Sequence, residues 1–254
     1  MHQGNNVKEK LARGEVVASL TVRLVRDVEI ARIAQTAGFD TLYVDLEHGA
    51  LSFDEAGAIC RAAREIAIAP FIRIPASEPD HVVRAFDVGA LGIIAPHIDS
   101  AEQARAVADP AASIPAAVLI VQVESAQALQ NIDEIVGVRG VDLVLVGTND
   151  LLADRGVPGQ YDHPLVRDAY ARALAACSAR QKHVGVGGLS TRPDLVAQFV
   201  NMGARYVSTG TDHAFLLAAC TERARQVREI AITQPTPERG GSDHEVVRGG
   251  VNAP

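Results

Sequence analysis

The stretch Thr41–Gly49, Thr-Leu-Tyr-Val-Asp-Leu-Glu-His-Gly, joins an apolar run to a cluster of charged side chains. Its first half contains no Gly or Pro, which predicts a buried β-strand. Asp45, Glu47 and His48 stand where that strand ends, and a helix is predicted to begin after Ser52, which has the spacing of a capping box. In parallel α/β proteins the loops after the strands carry the chemistry, so this stretch is the first candidate for a functional site.

The strand–helix pair recurs eight times along the chain. The predicted strands are Glu15–Val22, Thr41–Asp45, Ala69–Ile74, Leu91–Ala95, Ala116–Val123, Val141–Val146, Val184–Val186 and Arg205–Ser208. The predicted helices are Val25–Ala37, Phe53–Ile68, Asp80–Val88, Ala101–Val107, Ala126–Val136, Pro164–Lys182, Arg192–Met202 and Ala214–Ile232. This alternation predicts an α/β fold, a (β/α)8 TIM barrel. A doubly wound open sheet is the alternative, because it has the same alternation.

The domain organisation is simple. No linker-like composition interrupts the first 233 residues, so residues 1–233 are predicted to form a single catalytic barrel. Residues 234–254 turn to Pro, Gly and charge, which predicts a mobile C-terminal tail.

Composition excludes several functional classes. The net charge of −7 argues against nonspecific binding of nucleic acid or of an anionic membrane surface. No apolar run approaches the roughly 20 residues that span a bilayer, and the polar N-terminus has no signal-peptide core. The three cysteines fall on predicted helices without paired metal spacing. Together these features predict a cytoplasmic protein with reduced thiols.

Side chains suited to metal, anion and proton chemistry follow several predicted strands. Glu124 follows the fifth strand and Asp150 the sixth, while Arg73 lies at the end of the third and His48 after the second. In a barrel all four share one mouth. Two carboxylates suit Mg²⁺ or Mn²⁺, Arg73 can hold a carboxylate, and His48 can act as a general base. This combination favours enolate chemistry on a small oxo acid.

Structural roles are the alternatives for the same charged residues. Glu124 and Asp150 could each cap the helix that follows it. Arg73 could form a structural ion pair with Asp45 or Asp87.

The histidines also have alternative roles. His48 could bond its own loop, and His97, after the fourth strand, is a rival base for which we expect a loop or substrate-entrance role. The remaining histidines that we expect to be structural are His81, His163, His183 and His213.

Lysine is scarce. The chain holds only Lys8, Lys10 and Lys182, and none of them follows a predicted strand. A Schiff-base aldolase needs a lysine in its mouth, so activation of a carbonyl would fall to a metal.

Five short segments between about Gly14 and Arg228 match, in the same order, the motifs of a known family. They are Gly38–Gly49, Phe71–Pro75, Asp87–Ala90, Val121–Glu124 and Gly147–Leu151. In these segments the chain resembles the HpcH/HpaI aldolase/citrate lyase family, the metal-dependent class II pyruvate aldolases. The resemblance implies a pyruvate-binding barrel, a divalent cation (Mg²⁺, Mn²⁺ or Co²⁺), and a homo-oligomer, either a hexamer or a trimer.

The resemblance also implies a role for each residue of the site. Glu124 and Asp150 would bind the metal directly, and Glu47 would reach it through water. The implied substrate-binding residues are Arg73, Gln122, Thr148, Asn149 and Asp150, of which Asn149 and Asp150 would offer backbone N–H groups.

The implied reaction is retro-aldol cleavage of a 4-hydroxy-2-oxo acid to pyruvate and an aldehyde. His48, paired with Asp87, or a metal-linked water would take the proton of the 4-hydroxyl group. The metal and Arg73 would stabilise the resulting metal-bound enolate of pyruvate.

The chain departs from the family pattern in two places. Only Ala101–Pro115 lies between strands four and five, where the family has a longer segment with a Tyr-Pro-Pro stretch and a Gly/Arg-rich loop. Thr148-Asn149 stands where the family more often has Pro and a small residue. The first departure leaves the preferred aldehyde open.

Two other functions are weighed against the aldolase. A barrel enzyme acting on phosphate esters is one, because Gly185–Gly188 and Ser208–Thr211 follow the last two strands, where phosphate sites are common. A non-catalytic barrel that binds an oxo acid is the other, and the shortened Ala101–Pro115 segment is its support.

Overall fold

The fold is a closed barrel of eight parallel strands. A computed structural model describes residues 6–114 and 116–231. The strands are β1 Val17–Val22, β2 Thr41–Asp45, β3 Ala69–Arg73, β4 Gly92–Ala95, β5 Val118–Val123, β6 Leu143–Gly147, β7 His183–Gly187 and β8 Tyr206–Ser208. Each strand pairs with the next, and β8 pairs with β1. The predicted TIM barrel is confirmed, and the open sheet is excluded.

Helices connect the strands. They are α1 Asn6–Ala12, α2 Glu29–Thr36, α3 Phe53–Glu65, α4 Pro79–Asp87, α5 Ala101–Ala111, α6 Ala126–Gln130, α7 Ile132–Gly137, α8 Thr148–Asp154, α9 Pro164–Ser178, α10 Pro193–Met202 and α11 Asp212–Arg228. Among the helices described, none is both long enough and apolar enough to cross a membrane.

Three helices differ from the sequence prediction. The predicted helix over 126–136 is divided at Asn131 into α6 and α7. The sequence pattern does not predict the short helices α1 and α8, because helices of seven residues have little intrinsic stability and depend on tertiary packing. In α8 that packing comes from the buried side chains of Thr148, Leu151 and Leu152.

The chain divides into two compact units. Residues 1–218 hold the whole barrel. Residues 219–254 form the second unit, of which the structure describes the last part of α11 and the residues up to 231. The single barrel over 1–233 stays a prediction, and the predicted tail, residues 234–254, lies outside the described residues.

The interior of the barrel is filled at its amino-terminal end. Val7 and Leu11 of α1 are buried at that end, in the same cluster as the inward-facing strand residues. Phe71 and Tyr206 stack there with ring centroids 6.1 Å apart. Because this end is closed by apolar side chains, the barrel interior is open to ligands only at the carboxyl ends of the strands.

Strand geometry places polar groups directly above this apolar layer. Inward-facing side chains recur at every second residue of a strand. Tyr43, Phe71 and Ile120 belong to the apolar interior, and the residues two positions further along are Asp45, Arg73 and Gln122. The same alternation that builds the core therefore delivers a carboxylate, a guanidinium and an amide to the mouth.

Gly92 tests this packing. A Cβ atom there would lie 2.7 Å from two carbons of the Phe71 ring. We expect Gly92→Ala to lower the free energy of unfolding by about 1–3 kcal/mol, the usual cost of overpacking. Thermal or urea unfolding measures it. The control is Gly137→Ala, whose Cβ would meet Arg180 Nε at an ordinary 3.6 Å and which should change stability by less than about 1 kcal/mol. Equal stability of both variants would contradict the packing.

Candidate active site

A buried ion pair joins the ends of β2 and β3. Asp45 is fully buried and Arg73 is 3% exposed. Arg73 donates from Nε to Asp45 Oδ1 at 2.8 Å and from Nη2 to Asp45 Oδ2 at 2.5 Å. Burial raises the pKa of Asp45, but the hydrogen bonds and charge of Arg73 outweigh it, so the pKa lies below its usual value. Asp45 is therefore a fixed negative charge that holds Arg73 in the mouth.

The same carboxylate shapes the turn that follows β2. The backbone N–H groups of Glu47 and His48 both donate to Asp45 Oδ1 at 3.1 Å. A Cβ atom at Gly49 would lie 2.1 Å from the backbone oxygen of Asp45, so only glycine fits where the turn closes. These local hydrogen bonds explain why Glu47 and His48 lie together in a tight turn directly after the strand.

Glu47 lies against Arg73 on its other side. Arg73 Nη1 is 2.8 Å from Glu47 Oε2. The angles do not make this contact a hydrogen bond, so that buried oxygen is without a hydrogen-bond donor among the described residues. Oε1 of Glu47 lies 2.6 Å from Nε2 of His97. Glu47 thus keeps one oxygen available beside a cation.

His97 bridges two carboxylates. Its φ of +53° is rare for a residue other than glycine. Its backbone N–H donates to Glu124 Oε1 at 2.8 Å, and its Nδ1 lies 2.8 Å from the same oxygen. Burial lowers the pKa of His97, but the charges of Glu124 and Glu47 outweigh it and raise the pKa above its usual value. The expected loop or entrance role missed these contacts.

Glu124 is the most buried of the carboxylates that face one another at the mouth. It is 4% exposed, and burial raises its pKa to about 7, helped by the charges of Asp150 and Glu47. It does not cap α6, because Ser125 does so through its side chain. Asp150 is exposed, and α8 has no side-chain cap. The capping alternatives are therefore wrong. We call Glu47, Glu124 and Asp150 the acidic group, because the charges of Glu47 and Asp150 both raise the pKa of Glu124.

This acidic group fits a divalent cation. It offers carboxylate oxygens, one of them buried without a donor, and its mutual repulsion is relieved by positive charge. A second trio, Asp45, Glu47 and His48, has ligand atoms within 4.8 Å of one another. That trio is less suitable, because both oxygens of Asp45 already accept from guanidinium groups.

The predicted substrate-binding residues line one cavity. It has a volume of about 220 Å³ at the carboxyl ends of the strands. Arg73, Gln122, Thr148, Asn149 and Asp150 all belong to its wall. Gln122 accepts from Arg73 Nη1 at 3.4 Å and donates from Nε2 to Glu124 Oε2 at 3.1 Å. It therefore links the guanidinium group of Arg73 to the acidic group. The N–H groups that open α8 have no side-chain cap.

His48 also contacts Arg73, but Asp87 does not join it. Nδ1 of His48 lies 2.6 Å from Nη2 of Arg73. Asp87 is the exposed last residue of α4, and helices of this fold run back towards the amino-terminal ends of the strands. Within one chain the structure does not bring Asp87 to His48, and the partner of Arg73 is Asp45.

The remaining basic residues lie where the sequence predicts. Lys182 directly precedes β7 and donates to the backbone oxygens of Val136 and Val138, away from the mouth. His163 caps α9, and His213 lies in the first turn of α11. No lysine lines the cavity in the part of the chain that is described.

Sequence reasoning places Asp45 at the mouth but misses Arg23 and the contacts of His97. It indicates Asp45 as a partner for Arg73, and it assigns His97 to a loop. Arg23, just after β1, lines the cavity and donates from Nε to Asp45 Oδ2 at 2.6 Å. The two-residue alternation along the strands agrees with the predicted place of Asp45 at the mouth. Arg23 and His97 lie in loops whose conformation no pattern predicts.

The chain is similar to several known proteins. A family model described as HpcH/HpaI aldolase/citrate lyase matches residues 25–219. The chain is 31% identical over 258 residues to a 4-hydroxy-4-methyl-2-oxoglutarate aldolase of Chaetomium globosum, covering 89% of this chain and 96% of that one. It is 31% identical over 247 residues to a 2-keto-3-deoxy-L-rhamnonate aldolase of Escherichia coli K12, covering 86% and 91%.

A solved structure is also similar. The crystal structure of an HpcH/HpaI aldolase from Desulfitobacterium hafniense DCB-2 superposes with a TM-score of 0.82 at 27% identity. The similarity covers 90% of this chain and 99% of the other.

The Asp45–Arg73 pair yields a stability prediction. We expect Asp45→Asn to lower the free energy of unfolding by about 3–5 kcal/mol near neutral pH, because it removes the charged partner that forms two hydrogen bonds to a buried guanidinium. The pKa of Asp45 is lowered by folding, so its contribution is present above its unfolded value of 3.8 and is lost as pH falls below it. The difference between wild type and variant should therefore shrink below about pH 4.

Denaturant unfolding at several pH values measures that difference. The control is Asp109→Asn on the exposed face of α5, which should change stability by less than about 0.5 kcal/mol. A difference between wild type and Asp45→Asn that is small or independent of pH would contradict the role of the pair.

Proposed function

We propose, for a chain that belongs to the HpcH/HpaI aldolase/citrate lyase family, a retro-aldol reaction at the mouth of the barrel. The protein is a metal-dependent carbon–carbon lyase that acts on 2-oxo acids. Its substrate is a 4-hydroxy-2-oxo acid, and its products are pyruvate and an aldehyde or ketone. One observation supports this assignment most strongly: a buried guanidinium and three interacting carboxylates line one end of the barrel.

The acidic group would hold the cation. Glu124 and Asp150 would bind it directly, and Glu47 would reach it through water. When bound, a divalent cation supplies Lewis-acid polarisation of the carbonyl group of the substrate. Carboxylate ligands favour Mg²⁺, Mn²⁺ or Co²⁺ over softer metals.

Arg73 and Gln122 would orient the 2-oxo acid. Arg73 is fixed by Asp45 and buried, so its charge needs no reorganisation when negative charge develops on the oxygen at C2. Gln122 faces the same space and contacts both Arg73 and Glu124. Thr148 and the first N–H groups of α8, at Asn149 and Asp150, would receive the substrate carboxylate.

The bond changes balance without a further reactant. A base takes the proton of the 4-hydroxyl group, and the electrons of that O–H bond form the new carbonyl at C4. The C3–C4 bond breaks, its electron pair passes to C3, and the resulting enolate of pyruvate then takes a proton at C3. No oxidant or reductant is needed.

His48 would move the proton of the hydroxyl group. With Nδ1 accepting from Arg73, a neutral His48 carries its proton on Nε2. In cleavage its basic atom is therefore Nδ1, and the imidazolium formed there would return the same proton to the acceptor oxygen in the synthetic direction. To take the proton in cleavage, the ring must first release Arg73. Among the described residues, no hydrogen bond or ion pair joins Asp87 of the same chain to His48.

We also propose a cytoplasmic location and a homo-oligomer, a hexamer or a trimer. The unpaired, buried thiols of Cys60 and Cys177 support a reducing compartment. Three consecutive apolar residues at the start of α11 support a subunit contact, because they are about half exposed: Phe215 49%, Leu216 52% and Leu217 58%.

Exchange of the methyl protons of pyruvate in D₂O tests the proposal without knowledge of the acceptor. We expect proton NMR to show exchange only with Mn²⁺ or another divalent cation, because enolisation needs both the cation and Arg73. Glu124→Gln should reduce exchange by more than about 100-fold, since changes beyond the metal ligands alone cost about 10–100-fold. A direct Mn²⁺ titration of both proteins checks metal affinity separately.

The matched control is Glu134→Gln, the same substitution at an exposed position on α7. It should exchange protons at the wild-type rate. Absence of exchange with every divalent metal, or full exchange in Glu124→Gln, would overturn the proposed reaction.

A further inference from the structure

Arg23 is a second cation in the cavity, and the reaction proposed above gives it no role. It lies just after β1 and lines the same wall as Arg73. The two arginines are the cationic residues of this cavity in the described part of the chain. They differ in how many of their N–H donors the protein leaves unbonded, and this difference bears on the substrate.

Arg73 is held mainly by contacts within the protein. Its nitrogens contact Asp45, Glu47, His48 and Gln122, and its side chain is 3% exposed. Every direction of its planar fork is therefore occupied or faces the oxo-acid position.

Arg23 is held at one end only. Its Nε donates to Asp45 Oδ2 at 2.6 Å, and its side chain is 40% exposed. No described residue accepts from its two Nη groups. These groups form the part of the guanidinium that binds carboxylates in a two-pronged manner.

The backbone beneath Arg23 is fixed. The N–H of Arg23 donates to Asp212 Oδ1 at 3.0 Å, and those of Leu24 and Val25 donate to Asp212 Oδ2 at 2.9 and 2.7 Å. Asp212 is 6% exposed. A buried carboxylate thus anchors the loop that presents the guanidinium, which distinguishes it from an arginine on a mobile surface.

The two arginines stand close together. Both donate to the same atom, Asp45 Oδ2, at 2.6 Å from Arg23 and 2.5 Å from Arg73. One carboxylate oxygen therefore separates the two guanidinium groups. A substrate that reaches both must carry an anionic group only a few atoms from the C2 oxygen that Arg73 would receive.

We infer that Arg23 binds a carboxylate on the acceptor half of the substrate. This inference rests on the proposed function and specifies its substrate class. The preferred acceptor is a short 2-oxo acid, with the carboxylate directly on the carbonyl carbon, and the compound cleaved is a 4-hydroxy-2-oxo dicarboxylate. The retained carboxylate leaves with the acceptor fragment, so the bond changes are those already given.

Two acceptors of similar size test the inference in the synthetic direction. Glyoxylate carries the carboxylate, and glycolaldehyde carries a neutral CH₂OH group instead. With Mn²⁺ and saturating pyruvate, wild type should show a kcat/KM for glyoxylate about 10- to 100-fold above that for glycolaldehyde, the range expected for hydrogen bonds to a charged group. Equal values for the two acceptors would overturn the inference.

Substitution of Arg23 distinguishes binding of the acceptor carboxylate from a structural role in which Arg23 only pairs with Asp45. Arg23→Gln should remove most of the preference by lowering kcat/KM for glyoxylate much more than for glycolaldehyde, and Arg23→Lys should retain an intermediate preference. The control, Arg26→Gln, changes a more exposed arginine three residues away that pairs with Glu55 and should keep the wild-type preference. A loss that is equal for both acceptors would mean that Arg23 only supports Asp45, and it would overturn the inference.

Pyruvate proton exchange distinguishes this failure from failure of the proposed function. Exchange needs no acceptor, so it reports on the oxo-acid half alone. Exchange in wild type with no acceptor preference would refute the role of Arg23 and leave the aldolase intact. No exchange in wild type would refute the aldolase itself.

Discussion

The mouth of this barrel depends on one buried carboxylate. Asp45 accepts five N–H donors: two from Arg73, one from Arg23, and the backbone groups of Glu47 and His48. A buried charge is costly unless its partners satisfy it. Because every partner of Asp45 is itself part of the site, the requirement to satisfy one carboxylate fixes the positions of both arginines and of the turn after β2.

The consequence is that one cavity holds two cationic side chains. Arg73 contacts Glu47 directly, and Gln122 links it to Glu124. The guanidinium group and the two carboxylates therefore surround the position proposed for the oxo acid. Arg23 lines the same cavity, and no described residue accepts from its two Nη groups. Like charges at this distance repel, and Asp45 between them offsets that repulsion. We therefore assign the C2 oxygen of the substrate to Arg73 and a carboxylate on its acceptor half to Arg23.

Much of this arrangement is predictable from the sequence, for physical reasons. Parallel strands leave their carboxyl ends at one mouth, so the strand pattern alone is enough to group Glu124, Asp150 and Arg73. The rest depends on conformation. His97 reaches Glu47 and Glu124 through a left-handed backbone that no pattern indicates. The family resemblance pairs Asp87 with His48, yet its helix carries Asp87 away from the mouth. Arg23 has the sequence context of an ordinary loop residue, because its anchor, Asp212, lies far along the chain.

The most direct test of this account is the binding of oxalate, a stable mimic of the enolate of pyruvate. Isothermal titration would compare wild type with Arg73→Lys, with and without Mn²⁺. The account predicts tight binding only in the presence of Mn²⁺, weakened by about tenfold or more in Arg73→Lys, because lysine keeps the charge but cannot bond Asp45 and substrate with one planar fork. Binding without metal, or unchanged binding in the variant, would contradict the claim that Asp45 and Arg73 organise this site.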